Sequence, residues 1–126
     1  MGWVSVENVS APLENPLRVQ RLNWPWQKAR GYLLRFAPKS EEGLLFVYHR
    51  PRRVVVHMLF VPFPLGIVWI NEQLTVVGVE EAPPWRGVRR SPVPVQLFIE
   101  MAPERIKEFA VGHVLALKQA YEVGVS

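Results

Sequence analysis

A chain of 126 residues with 49% hydrophobic and 21% charged side chains can bury one core without help from a metal or disulfides. The absence of cysteine excludes disulfides, thiolate metal sites and cysteine nucleophiles. A formal charge of +4 permits an acidic partner without requiring one, and the arginine- and proline-rich composition is also compatible with growth at high temperature.

Residues 1–15 alternate poorly and run into Pro12 and Pro16, which predicts an N-terminal arm or edge strand. They carry Glu7 and Glu14, no basic residue and no long apolar run, so a cytoplasmic location is expected rather than export. Residues 16–118 read as a single β domain and 119–126 as a C-terminal tail. From Pro16 to Leu22, Leu17 and Val19 alternate with Arg18 and Gln20, as in a half-exposed strand. Asn23 as N-cap, Pro25 in the first turn, Lys28 and Arg30 at the negative end and Gly31 as a stop predict a short helix over Trp24–Arg30.

Leu44–His49 and Arg53–Val61 flank a charged turn and read as a hairpin. Leu65–Ile70 and Leu74–Val79, on either side of Asn71, Glu72 and Gln73, read as a second. The long apolar run Val54–Ile70 contains His57, Pro62, Pro64 and Gly66, so it suits two buried strands and not a membrane helix. Pro92 and Pro94 open a strand at Val95–Glu100. Pro103, Glu104 and the apolar Ile106, Phe109 and Ala110 predict a second short helix that Gly112 ends, and His113–Leu117 a last strand. Short strands at this spacing argue for a mainly β chain, an antiparallel sandwich or barrel with two short helices. Most connections are too short for the crossover a parallel pair needs.

Three blocks in order carry a family resemblance: Ala29-Arg30-Gly31-Tyr32-Leu33, Glu42 to Tyr48, and Val56 to Asn71. They are similar to the blocks RG(L/M), GMLF(V/I)F and HTFxMxFPIDVxFLD of the domain of unknown function 192 family. Pro84-Trp85, Val95 to Met101 and Val111-Gly112-His113-Val114 are similar to its later blocks, so the resemblance spans residues 16–117. It implies a β-sandwich of jelly-roll type and no established activity. Gly66 and His113 stand where the family usually has aspartate, which removes any ligand role those acids would carry.

His57 lies in a strand apolar on both faces, which reads as a partly buried core histidine with paired ring nitrogens. The sharper reading makes it the polar floor of a pocket, where His57, Glu100 and Arg30 would combine a proton carrier with opposite charges. His49, His57 and His113 lack ligand spacing, so no metal is expected, and no serine elbow or phosphate loop implies a catalytic triad or a cofactor. Glu41-Glu42 and Glu80-Glu81 read as solvated pairs. The arginine loops Arg50 to Arg53 and Arg86 to Arg90 adjoin His49 and Trp85, a pattern used for nucleic acid, although the modest charge disfavours it. Trp85 also suits a lid over one end of the core.

The preferred reading is a non-catalytic binding module in which Arg30, His57, Trp85, Arg89, Arg90 and Glu100 meet a small anionic ligand or a protein partner. The rival is an enzyme on a small anionic or sugar-like substrate with His57 as acid or base.

Overall fold

Period-two burial sets the sheet. Val4 and Val6 point inward from the first strand, Leu17 and Val19 from the second, with Leu22 buried on the opposite face, and every residue of Leu65–Ile70 is buried because that strand is covered on both faces. The computed structural model describes residues 2–33 and 35–119. In chain order these hold β1 (Trp3–Asn8), β2 (Leu17–Leu22), α1 (Pro25–Arg30), β3 (Glu42–Arg52), β4 (Val55–His57), β5 (Leu65–Ile70), β6 (Val76–Ala82), β7 (Val88–Arg90), β8 (Val95–Met101), a 3-10 helix (Pro103–Glu108) and β9 (Leu115–Gln119).

Seven strands form one sheet in the order β6-β5-β8-β3-β2-β1-β9, and β4 and β7 form a separate two-stranded sheet. The large sheet curls into a half-barrel. Its two ends meet where Leu115 N donates to Leu74 O and Val76 N to His113 O, at 2.8 Å each. Leu44, Phe46, Ile67, Trp69 and Phe98 share one face with Val54, Val56 and Met58 of the small sheet, which covers them as a flap. Leu45, Val68, Ile70, Ile99 and Met101 share the other face with Phe109, beside the 3-10 helix.

Several expectations change. β2 and β3 pair in parallel, Arg18 opposite Glu42 through Leu22 opposite Phe46, so the sheet is mixed and not antiparallel. The connection through residues 23–41, with α1 inside it, is the long crossover that a parallel pair requires. Leu44–His49 and Arg53–Val61 do not form a hairpin: β3 pairs with β2 and β8, while β4 pairs with β7. The second short helix is a 3-10 turn, and α1 forms where the first was expected. The stretch expected as an arm or edge strand supplies β1, which pairs with β2 on one side and β9 on the other. Of the tail expected over 119–126, only Gln119 falls among the described residues, at the end of β9. The β5–β6 hairpin forms as expected, but its second strand runs over Val76–Ala82 and not Leu74–Val79, and β8 extends one residue past the expected Val95–Glu100.

Buried Arg105 holds the loops at one end of the sheet. Its guanidinium pairs with Glu108 and donates to the carbonyls of Pro16 at 3.2 Å, Asn15 at 2.8 Å and Ser40. One side chain thereby satisfies backbone groups on two separate connections.

Candidate functional site: a cleft floored by Glu100

Alternation along β8 turns Glu100 to the same face as Phe98. On that face its lateral neighbours are Leu44 of β3 and Ile67 of β5, both apolar. Glu100 is 4% exposed; among the described residues no group hydrogen-bonds its carboxyl, whose oxygens keep a small opening to the cleft. Burial alone pushes that carboxyl up to about 8 from 4.5, so at neutral pH the group keeps its proton and can donate.

Above Glu100 lies an open cleft of about 390 Å³, within the size range of small-ligand sites. Its floor is aromatic: Phe46 and Phe98 stack with centroids 4.2 Å apart, and Tyr48 lies 6.3 Å from Phe98. One wall is the end of α1. There Gly31 adopts φ +48, and a Cβ would sit 3.4 Å from the Phe46 ring and 3.5 Å from Glu100 Oε1, so glycine lets the chain turn tightly over the acid. Tyr32 follows, its phenol pushed above its usual range by burial first and then by Glu100.

The mouth is cationic. Lys28 Nζ lies 4.1 Å and Arg52 Cζ 5.2 Å from the Tyr48 ring centroid, and Lys28 also donates to Val47 O at 2.9 Å. Burial, then repulsion from Arg52, lowers the pKa of Lys28. Arg30 and Arg53 line the same space. A cleft with four cations, an aromatic floor and a protonated acid suits an anion with an apolar body.

Arg30, His57 and Glu100 are brought together by this cleft. His57 is exposed and not partly buried, because β4 is a one-sided flap whose Val54, Val56 and Met58 face in while Val55, His57 and Leu59 face out. Trp85, Arg89 and Arg90 do not line the cleft. Trp85 is half-exposed with its ring edge-on to Phe60 at 6.2 Å. Arg89 lies 3.4 Å from Glu80 and donates to Glu81 O, while Glu80 accepts from Trp69 Nε1 at 2.6 Å, so this pair ties β7 to the hairpin. Arg90 is exposed on β7 opposite Val55. Tyr32 and Tyr48 join the site without a role read from the sequence, and Lys28 and Arg52 join it in place of the helix-end and loop roles the sequence suggests. Their one sequence signal is cation beside aromatic, which has meaning only once the crossover sets α1 over β3.

Gly66 and His113 stand away from the cleft. A Cβ at Gly66 would lie 2.2 Å from Ile106 Cγ2, so glycine lets the 3-10 helix pack on β5 where an aspartate would collide. His113 Nδ1 meets the buried Asn8 amide at 2.9 Å and accepts from Ala110 N at 3.2 Å, which makes it a structural tie between β1 and the last turn. Among the described residues no group of three His, Asp or Glu side chains is placed to hold a metal ion, and no helix is long and apolar enough to cross a membrane.

Curled sheet, flap and cleft together define a mainly β domain with one cation-rimmed site. The chain belongs to the DUF192 family, described as an uncharacterized ACR, whose model matches residues 7–116. It resembles the crystal structure of a protein from Sinorhizobium meliloti 1021, provisionally named a transcription regulator, at 23% identity and TM-score 0.80 over 92% of each chain. A protein of unknown function from Novosphingobium aromaticivorans DSM 12444 is similar at 19% identity and TM-score 0.76, over 90% of this chain and 83% of that one. At these identities the likeness shows the fold. No curated protein matches the sequence.

Proposed function

We propose that the cleft binds a small carboxylate-bearing ligand with an apolar or aromatic body, and that the protein is a binding module rather than an enzyme. The observation that carries this reading is Glu100, buried and without a hydrogen-bond partner among the described residues, on the floor of a cleft whose mouth holds Lys28, Arg30 and Arg52. The carboxyl, nearly buried and without a protein partner among the described residues, is left open to the cleft, where a ligand that accepts its proton would pair it. The two cations flanking Tyr48 would hold the ligand's negative charge, and the Phe46–Phe98 stack its body. His57, the acid or base of the enzymatic reading, has no side-chain hydrogen bond to a carboxylate among the described residues, which weighs against that reading.

Titration calorimetry with 3-phenylpropionate and with 2-phenylethylamine tests the proposal. The acid should bind and the amine should not, and Arg52→Ala should weaken the acid by about tenfold, as loss of a charge-assisted hydrogen bond does. Preference for the amine would refute it.

The provisional name of the Sinorhizobium neighbour, with Arg50, Arg53, Arg86 and Arg90 all exposed, favours a second reading as a nucleic-acid binder. That reading requires affinity that falls steeply with salt, and gel shifts that stay negative at low ionic strength would remove it.

A further inference from the structure

The cleft's second wall is a β-strand with no described strand paired to one edge. Within the flap, Ser91 N donates to Val54 O and Met58 N to Gly87 O, both at 2.9 Å, and Val56 stands opposite Arg89. Val54, Val56 and Met58 therefore direct their backbone groups at β7. In an antiparallel pair this orientation alternates, so Val55 and His57 direct their N–H and C=O groups the other way. The small sheet has two strands, and no described strand lies on that side.

That open edge is what the cleft meets. Every residue from Arg52 to Leu59 lines the space, including Val54, Val56 and Met58 from the inner face of the strand and Val55, His57 and Leu59 from the outer face. A cavity touches both faces of one strand only along its edge. Lys28, Arg30, Gly31 and Tyr32 line the same space, as do Phe46, Phe98 and Glu100. The cationic pair over Tyr48 lies toward the Arg52 end, where β4 begins.

We propose that the ligand of this cleft is an extended peptide segment ending in a free carboxylate, which adds to the open edge of β4 as an antiparallel strand. The inference rests on the anion-binding reading above and names the class of ligand. Antiparallel addition brings the C-terminus of the peptide to the start of β4, where Arg52 and Lys28 meet its carboxylate. Val55 and His57 supply main-chain bonds, and alternate peptide side chains point down onto the Phe46–Phe98 floor. At ~3.3 Å per residue, the three residues of β4 offer about 10 Å of edge, enough for a short tail.

Charge selects this occupant over a second copy of the chain. Antiparallel pairing of two β4 edges would bring the Met58–Leu59 end of one copy, which carries no carboxylate, to the Arg52 end of the other, whereas a free C-terminal carboxylate neutralises the cations there.

The test uses the intact protein and the tetrapeptide acetyl-Thr-Val-Phe-Val with a free C-terminus. Binding should move and protect the amide protons of Val55 and His57 in nitrogen-15 spectra. Amidating the C-terminus should weaken the peptide by about tenfold, and N-methylation should do so at alternate peptide amides only, because every second N–H faces β4. Val55→Pro removes one outward donor and leaves the bonds to β7 in place. Should that variant fail to fold, the N-methyl series on unaltered protein decides the outcome. If 3-phenylpropionate binds while all N-methylated peptides bind alike, strand addition is wrong and the anion site stands. If neither binds, both readings fail. Concentration-dependent dimers that protect Val55 and His57 without peptide would also overturn the proposal.

Discussion

Replacing Glu100 by glutamine keeps the shape of the side chain and removes its ability to ionise. Folded, the carboxyl is pushed up to about 8 by burial between Leu44 and Ile67, whereas in the unfolded chain it titrates near 4.5. Between those values the folded protein holds a proton that the unfolded chain has released. Stability therefore falls as pH rises through this window and is level on either side of it. Each pH unit costs ~1.4 kcal/mol, so the whole window costs up to about 5 kcal/mol. Glu100→Gln is free of this loss. At pH 5 both proteins carry a neutral group, and their stabilities should agree within about 1 kcal/mol. At pH 9 the variant should be several kcal/mol more stable, a melting-temperature gap on the order of 10 °C for a chain of this size. Urea denaturation of both proteins at pH 5, 7 and 9 measures the difference. Parallel pH profiles would show that Glu100 ionises freely when folded, and the reasoning about its burial would be wrong.

Arg105→Ala should destabilise the fold by ~3 kcal/mol or more, since it strands Glu108 and the carbonyls of Asn15, Pro16 and Ser40 together. Chemical denaturation checks this, and a loss under about 1 kcal/mol would mean water replaces the guanidinium. Restoring the family's aspartate with Gly66→Asp should cost ~1–3 kcal/mol by collision with Ile106, and adding Ile106→Ala should recover part of that loss. Strictly additive losses in the double variant would contradict the packing explanation.

Much of the sheet was legible because local chemistry decides it. Asn71 to Gln73 mark a turn between two apolar runs, and β5 and β6 pair across it. Pro25 and Gly31 bracket α1 for the same reason. Pairing between distant segments was not legible: alternation in β2 and β3 says which side chains turn inward, but not that the two strands run parallel. The same gap hid half of the site. Glu100 and His57 stand out as polar exceptions in apolar runs, yet Lys28 looks like an ordinary helix-end cation and Arg52 like a loop arginine. Only the β2–α1–β3 crossover sets both over Tyr48. Arg89 and Trp85 were drawn into the candidate set by their loop setting, but Glu80 and Phe60 occupy them instead.

The claim at the centre of this account is that Glu100 takes part in anion binding as the neutral acid. The affinity of 3-phenylpropionate, measured by calorimetry from pH 6 to 10 on the native protein and on Glu100→Gln, tests it most directly. The native protein should bind evenly up to pH ~8 and then lose about tenfold per pH unit as the carboxylate forms, while the glutamine variant should show only the shallower fall that loss of the Lys28 charge brings. Equal pH dependence in both proteins, or native binding that strengthens above pH 8, would contradict the account.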